Sequence, residues 1–249
     1  MAMAENGKLK GAENGKLKGQ VALVVGASGY LGSHVAHALE SWGMEVAWHY
    51  HKKPPRFPRA EKNVQRLLLQ ADMSSALEAE RLVERVLERH ERLDLAVHAA
   101  GDFLWKPLLE TSPEEWERVM ATNLTSAFYL ARACWETMSA QSRGHLVFLG
   151  QAGCLDFKVK PSMSVVHIAK QGLWLLMRSL AREGAPKGIR VNLLSPGIME
   201  KTEIESPAPL PMKRKARPED ITGALAYLLG EESSYLTGNQ LEIAGGWGL

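Results

Sequence analysis

Only two cysteines, Cys134 and Cys154, occur in the 249 residues, too few for a disulfide framework and in keeping with a reducing compartment. No apolar run approaches the roughly 20 residues that a membrane-spanning helix needs. The N-terminus is polar and lacks the hydrophobic core of a signal peptide, so a soluble cytoplasmic protein is the expectation. No long basic block disturbs the balance of 30 basic and 28 acidic residues, and nucleic acid is not expected as a partner. No metal site is expected either. Tyrosine is scarce in a telling place: of five, none lies between Tyr129 and Tyr227.

What is present suffices for one buried domain, with 45% of the residues hydrophobic. Ala4 to Gly11 is repeated unchanged from Ala12 to Gly19. Two polar copies make no repeat architecture, so residues 1–16 are read as a flexible tail and 17–249 as the domain. Val21–Val25 is a β-branched apolar run ending at Gly26, the mark of a buried parallel strand. Strands are then expected at Glu45–Tyr50, Arg66–Leu69, Leu93–His98, His145–Leu149, Arg190–Leu194 and Gln240–Ile243. Helices are expected at Gly29–Trp42, Ala76–Arg92, Pro113–Ser139, Ser164–Gly184 and Pro218–Leu229. The alternation predicts an α/β fold, a Rossmann-type doubly wound parallel sheet with helices on both faces.

Gly26-Ala27-Ser28-Gly29-Tyr30-Leu31-Gly32 joins the first strand to its helix. Small residues there let main chain approach a pyrophosphate, and the helix start offers free amides and a positive dipole end. The second strand ends in Tyr50-His51-Lys52-Lys53, where NAD enzymes usually carry an acidic residue for the ribose hydroxyls. Basic side chains suit a 2′-phosphate, hence NADP(H); the alternative is a solvated basic turn. Asp72 is placed to meet an adenine amino group.

Residues 17–249 resemble a small, single-domain short-chain dehydrogenase/reductase. His49-Tyr50-His51-Lys52 is similar to the NADPH-binding turn of pteridine reductases. Gly188-Ile189-Arg190-Val191-Asn192, Ser195-Pro196-Gly197, Pro218-Glu219-Asp220 and Gly245-Gly246 resemble 3-oxoacyl-carrier-protein reductases. The resemblance extends the cofactor contacts to Met73, Ala99, Ala100, Gly101, Lys170, Pro196, Gly197 and Ile198. It also exposes departures. The glycine spacing is that of extended family members, with Tyr30 where smaller members often have glycine. The family's Asn-Asn-Ala-Gly stands as His98-Ala99-Ala100-Gly101, which puts the bracing of that strand in doubt.

The family's proton machinery is an Asn, a Ser, a Tyr and a Lys. Asn123 matches the first and Lys170 the last. The asparagine holds a water in a relay to the lysine, or is a satisfied amide in a helix bend. The serine's place falls on Gln151, which can donate to a carbonyl or be an ordinary loop residue. The tyrosine's place, four residues before Lys170, is Val166. Nothing nearby restores it, and losing a positioned general acid costs on the order of a hundred- to ten-thousand-fold in rate. His167, Asp102, Asp156 and Cys154 are conceivable substitutes, each with a plainer structural explanation.

Residues 198–217 occupy the substrate-loop position, and their prolines predict a stiff extended loop over a helix. Lys213-Arg214-Lys215 meets an acidic ligand or is simply solvated. The resemblance implies a homodimer or homotetramer through the helices that carry Asn123 and Lys170. The leading expectation is an NADP(H)-dependent oxidoreductase with altered proton delivery on an unidentified small-molecule substrate. The alternative is a catalytically silent NADP(H)-binding protein, a sensor or an assembly subunit.

Overall fold

The computed structural model describes residues 17–57, 64–156, 161–202 and 210–247. The proposed tail, residues 1–16, lies outside them, as do Pro207 and Pro209 of the substrate loop. Among the described residues seven strands form one parallel sheet: β1 (Val21–Val25), β2 (Glu45–Tyr50), β3 (Leu67–Gln70), β4 (Leu95–His98), β5 (Gly144–Leu149), β6 (Ile189–Pro196) and β7 (Gln240–Ile243), in the order β3-β2-β1-β4-β5-β6-β7. The central strands β1, β4 and β5 are buried at every residue. That is why they read as unbroken apolar runs: both faces of a parallel sheet are covered by its own crossover helices. The order reverses between β1 and β4, and ligands of open α/β sheets lie at such a switch point, outside the carboxyl ends of the strands.

Among the described residues six α-helices cover the sheet: α1 (Tyr30–Ser41), α2 (Ala76–His90), α3 (Pro113–Met120), α4 (Ser126–Ala140), α5 (Ser164–Gly184) and α6 (Pro218–Leu229). One core lies beneath α2, α4 and α5, built from residues such as Leu82, Leu130, Leu146, Phe148 and Leu173. The other lies beneath α1 and α6, with Val35, Leu39, Trp48, Ile221 and Leu225. The charged α2 buries only Ala79, Leu82, Val83 and Val86, a narrow stripe, and leaves its remaining charges outward. Its start is set by Ser75, whose hydroxyl accepts from Glu78 N–H. α3 begins on a capping box between Ser112 and Glu115, with Pro113 in the first turn.

One expectation is corrected. The helix predicted as continuous over Pro113–Ser139 is interrupted at Ala121–Thr125 by a π-turn. Asn123 causes it: Nδ2 donates to Val119 O, 3.0 Å away, and to Asp102 O, 2.9 Å away. A side chain that engages the carbonyl one turn back competes with the ladder there and opens it.

Candidate active site

The glycine turn begins at Gly26, whose φ of +82° only glycine adopts without strain. A Cβ there would also lie 2.8 Å from Ala100 N, against the main chain that follows β4. Gly26→Ala is therefore expected to destabilise the fold by more than about 2 kcal/mol, read by urea denaturation. Gly29 caps α1 without any side-chain hydrogen bond, and the first turn carries no acidic residue. The leading amides of α1, with exposed Ser28 and Gly29 before them, are thus left to an anion. These features fit a dinucleotide pyrophosphate; Leu31 and Gly32 face inward behind the turn.

A residue that the sequence offered only as part of the stretch His49-Tyr50-His51-Lys52, with no role of its own, holds this turn. His49 is buried in β2; its Nδ1 accepts from Gly26 N–H at 3.0 Å and its Nε2 donates to Ala71 O at 3.0 Å. The Nδ1 contact requires the neutral ring, and burial lowers its pKa, with partial compensation from the bond to Ala71 O. Beyond it, His51, Lys52 and Lys53 are exposed at the end of β2, with Tyr50 half-buried. His51 Nε2 lies 3.8 Å from Asp72 Oδ2. Asp72 also accepts from Ser74 N–H and Oγ, and these bonds hold its carboxyl below the usual range. Met73 points into the core, leaving its main chain for any ligand.

The strand bracing that His98 put in doubt is supplied by His98 itself. Its Nε2 donates to Ser126 Oγ at 2.8 Å, and that hydroxyl donates on to Thr122 O. β4 is thereby tied to α4 in place of an asparagine. Ala99, Ala100 and Gly101 then leave the sheet beside the glycine turn.

Asn123 and Lys170 converge at Gly101. A Cβ on that glycine would lie 2.5 Å from Asn123 Oδ1 and 3.6 Å from Lys170 Nζ. Lys170 is buried and donates to Leu149 O at 2.8 Å, at the end of β5. Burial lowers its pKa to about 8, with partial compensation from Cys154. Gln151 follows β5, and its Oε1 is buried without a hydrogen-bond partner. An amide turned over would present its donors to the same space. Val166 lies one turn before Lys170 on the same face of α5, in an apolar cluster with Leu104, Val119, Val165 and Ala169. No proton donor occupies that position.

The substitutes do not converge on it. Asp102 pairs with Arg118 at 2.6 Å on the rim. Asp156 closes a turn onto Gly153 O. His167 lies 3.4 Å from Gln171 within α5, and Cys154 is buried 3.5 Å from Gln240 Nε2. The basic run faces solvent and is tied down at two points: Lys213 and Arg214 are exposed, Arg214 clamps Asp220 with bonds of 2.6 and 2.8 Å, and Lys215 donates to Thr202 O. Pro196 O accepts from Ala152 N–H and Gly197 N–H donates to Ile243 O, fixing the start of the segment that continues into Ile198. Phe103 and Trp105, half-exposed with near-parallel rings 6.4 Å apart, line the segment after Gly101. Their signal was in the sequence: two aromatics directly after the Ala-Gly turn.

Residues 26–248 match the family model described as enoyl-(acyl carrier protein) reductase. The chain belongs to the short-chain dehydrogenase/reductase family, a family of oxidoreductases. It is 29% identical to the acetoacetyl-CoA reductase of Allochromatium vinosum over 249 residues, covering 91% of this chain and 98% of that protein. It is 28% identical to the 3-oxoacyl-(acyl-carrier-protein) reductase of Escherichia coli K12, covering 92% and 97%. A crystal structure described as a short-chain alcohol dehydrogenase from Sinorhizobium meliloti 1021 superposes with a TM-score of 0.82 at 27% identity, covering 93% and 97%. Among the described residues no helix is long and apolar enough to cross a membrane, and no cluster of metal-ligating side chains occurs.

Proposed function

We propose that this short-chain dehydrogenase/reductase binds NADP(H) and acts as an oxidoreductase whose proton delivery departs from the family pattern. The observation that carries the proposal is the pairing of a complete lysine site with an apolar tyrosine site. Lys170 and Asn123 meet at Gly101, while Val166 is sealed in the Leu104–Val119–Ala169 cluster. The glycine turn and α1 amides would hold the pyrophosphate, His51 to Lys53 the 2′-phosphate, and Lys170 the nicotinamide ribose. The nicotinamide supplies a hydride when bound. The protein's part is to hold an electrophile close to it, with the Gln151 amide and the Lys170 ammonium as polar groups at the end of β5. An activated C=C or C=N bond, which needs less help from an acid than a ketone, is the favoured substrate class. The apolar rim of Phe103 and Trp105 suits an apolar portion of that substrate.

The same apolar cluster favours a second reading, a cofactor-binding protein without catalysis. Lys170 and the glycine turn serve binding under either. Assembly through α4 and α5 is part of the proposal, since Phe128, Ile168 and Leu175 stand exposed on these helices.

Fluorescence titration with NADPH and NADH is the test. NADPH is expected to bind at least tenfold more tightly than NADH, and Lys52→Glu to erase most of that preference by placing a carboxylate beside the 2′-phosphate. Equal affinities for the two cofactors in the parent protein would remove the NADP(H) assignment. Oxidation of bound NADPH by an activated alkene or imine then separates enzyme from silent binder.

A further inference from the structure

Tyr30 opens α1 directly behind the glycine turn, and Glu200 lies just past the end of β6. β1 and β6 are not neighbours: β4 and β5 stand between them. Three strand spacings separate the two strand ends by roughly 14 Å. Yet Tyr30 Oη donates to Glu200 Oε1 at 2.9 Å, and Lys201 Nζ stands 5.0 Å from the centre of the Tyr30 ring. A side-chain link between these elements therefore passes the carboxyl ends of β4 and β5, beside the crevice that the strand order creates.

Both ends of the link are anchored. The Tyr30 ring packs edge-on against His34, with centroids 4.9 Å apart. Glu200 N–H donates to Ala216 O and Ala216 N–H to Ile198 O, each at 2.8 Å, which fixes the main chain of Ile198–Glu200 against the segment leading into α6. The carboxylate accepts from the Tyr30 hydroxyl, and the Lys201 ammonium stands over the ring that carries that hydroxyl. Released, it would present an unbalanced negative charge at the edge of a site whose ligand is itself an anion.

We propose that the Tyr30–Glu200 bond is a strap across the dinucleotide crevice, which parts when the cofactor enters or leaves and so sets its exchange rate. The inference rests on the NADP(H) reading above. Tyr30 and Glu200 are positioning residues in this role: they hold the two sides of the crevice together and take no part in hydride transfer.

Stopped-flow displacement of NADPH by excess NADP+ tests the strap in the full-length protein. Tyr30→Phe keeps the ring and its Lys201 contact but loses the donor; Glu200→Ala loses the acceptor. Each is expected to raise the NADPH dissociation rate about five- to tenfold, the range of one exposed charge-assisted hydrogen bond. The double variant should dissociate no faster than the singles, because both remove the same bond. Glu200→Gln, which keeps an acceptor but not its charge, should fall between the parent and Glu200→Ala. Thermal midpoints without cofactor should move by less than about 3 °C, as for other surface substitutions.

Unchanged dissociation rates in Tyr30→Phe and Glu200→Ala, or effects that multiply in the double variant, would overturn the strap. Slower dissociation from Glu200→Ala and Glu200→Gln alike would also overturn it, by showing that the carboxylate acts only through its charge. Failure of the parent protein to bind NADPH at all defeats the cofactor reading itself, and the strap with it, so the two failures are told apart.

Discussion

Acidification below pH 6.5 is expected to destabilise the protein by up to about 3 kcal/mol per pH unit, chiefly through two buried imidazoles, with a smaller share from a third. His49, His98 and His145 are all buried and all held neutral in the fold. Burial lowers the pKa of each, that of His98 to about 3. Their surroundings reinforce burial. His49 must keep Nδ1 unprotonated to accept from Gly26 N–H. His145 is flanked by Arg190 Nη2 at 3.1 Å and Asn192 Nδ2 at 3.0 Å, so an imidazolium would meet donors on both sides. Below 6.5 the unfolded chain takes up protons that the fold refuses at His98 and His145, and that His49 takes up in the fold only at lower pH than a free imidazole. Stability from this source is therefore complete above pH 6.5 and is lost as pH falls toward the folded values. Asp72 and Asp220, whose folded pKa values are lowered from 3.8, act in the same direction but only at lower pH. Against a total stability of about 5–15 kcal/mol, two pH units remove a large part of it. Urea midpoints measured from pH 8 to 5 should give a slope approaching two protons or more. His98→Gln and His145→Gln should each lower that slope by about one, and His49→Gln by less. A slope below one proton in the parent protein would refute the account.

His49 also shows where sequence reading stops. The strand Glu45–Tyr50 is legible from its β-branched and aromatic content, and the basic residues after it from their place beyond the glycine turn. The inward direction of His49, and its reach to a main-chain amide 23 positions away, depend on how β1 lies against β2. No local pattern carries that. Most elements were legible because buried parallel strands are apolar runs and α2, α5 and α6 carry one apolar stripe each. The π-turn at Asn123 was not, because residues 113–139 contain no glycine and no internal proline to mark a break. The interruption comes from one amide choosing Val119 O and Asp102 O. The candidate site divides in the same way. Lys170, Asn123 and the glycine turn sit in recognisable flanking sequence. The Tyr30–Glu200 link joins residues 170 positions apart, and only the sheet order brings them together. The basic run Lys213-Arg214-Lys215 looked like a ligand contact or solvent face; its arginine is consumed by Asp220 and its last lysine by Thr202 O.

Val166→Tyr is expected to raise NADPH-dependent reduction of a ketone such as acetoacetyl-CoA by about 100-fold or more, the usual contribution of a positioned general acid. The residue stands one helical turn from Lys170, so a phenol there would be within the influence of the ammonium, which lowers its pKa and readies it to exchange a proton. The gain has a structural cost. Val166 is 4% exposed among Leu104, Val119 and Ala169, and a ring in that space overpacks it by about 1–3 kcal/mol. The variant should therefore melt at a lower temperature while reacting faster, a combination that simple damage cannot produce. Gln151→Ser, added to Val166→Tyr, should increase the rate further by replacing a bulky amide with a hydroxyl that polarises the carbonyl. Alone it should do little, since no acid would be present to complete the transfer. The acquired activity should decline above pH 8 for two reasons of the same sign: reduction consumes a proton, and Lys170, with its pKa of about 8, loses the charge that tunes the phenol. Assays run in parallel with NADPH titrations decide the matter. If the double variant binds NADPH as the parent does and still fails to reduce ketones, the missing phenol is not what limits this protein. The apolar cluster around residue 166 would then mark a crevice built for holding the cofactor and not for using it.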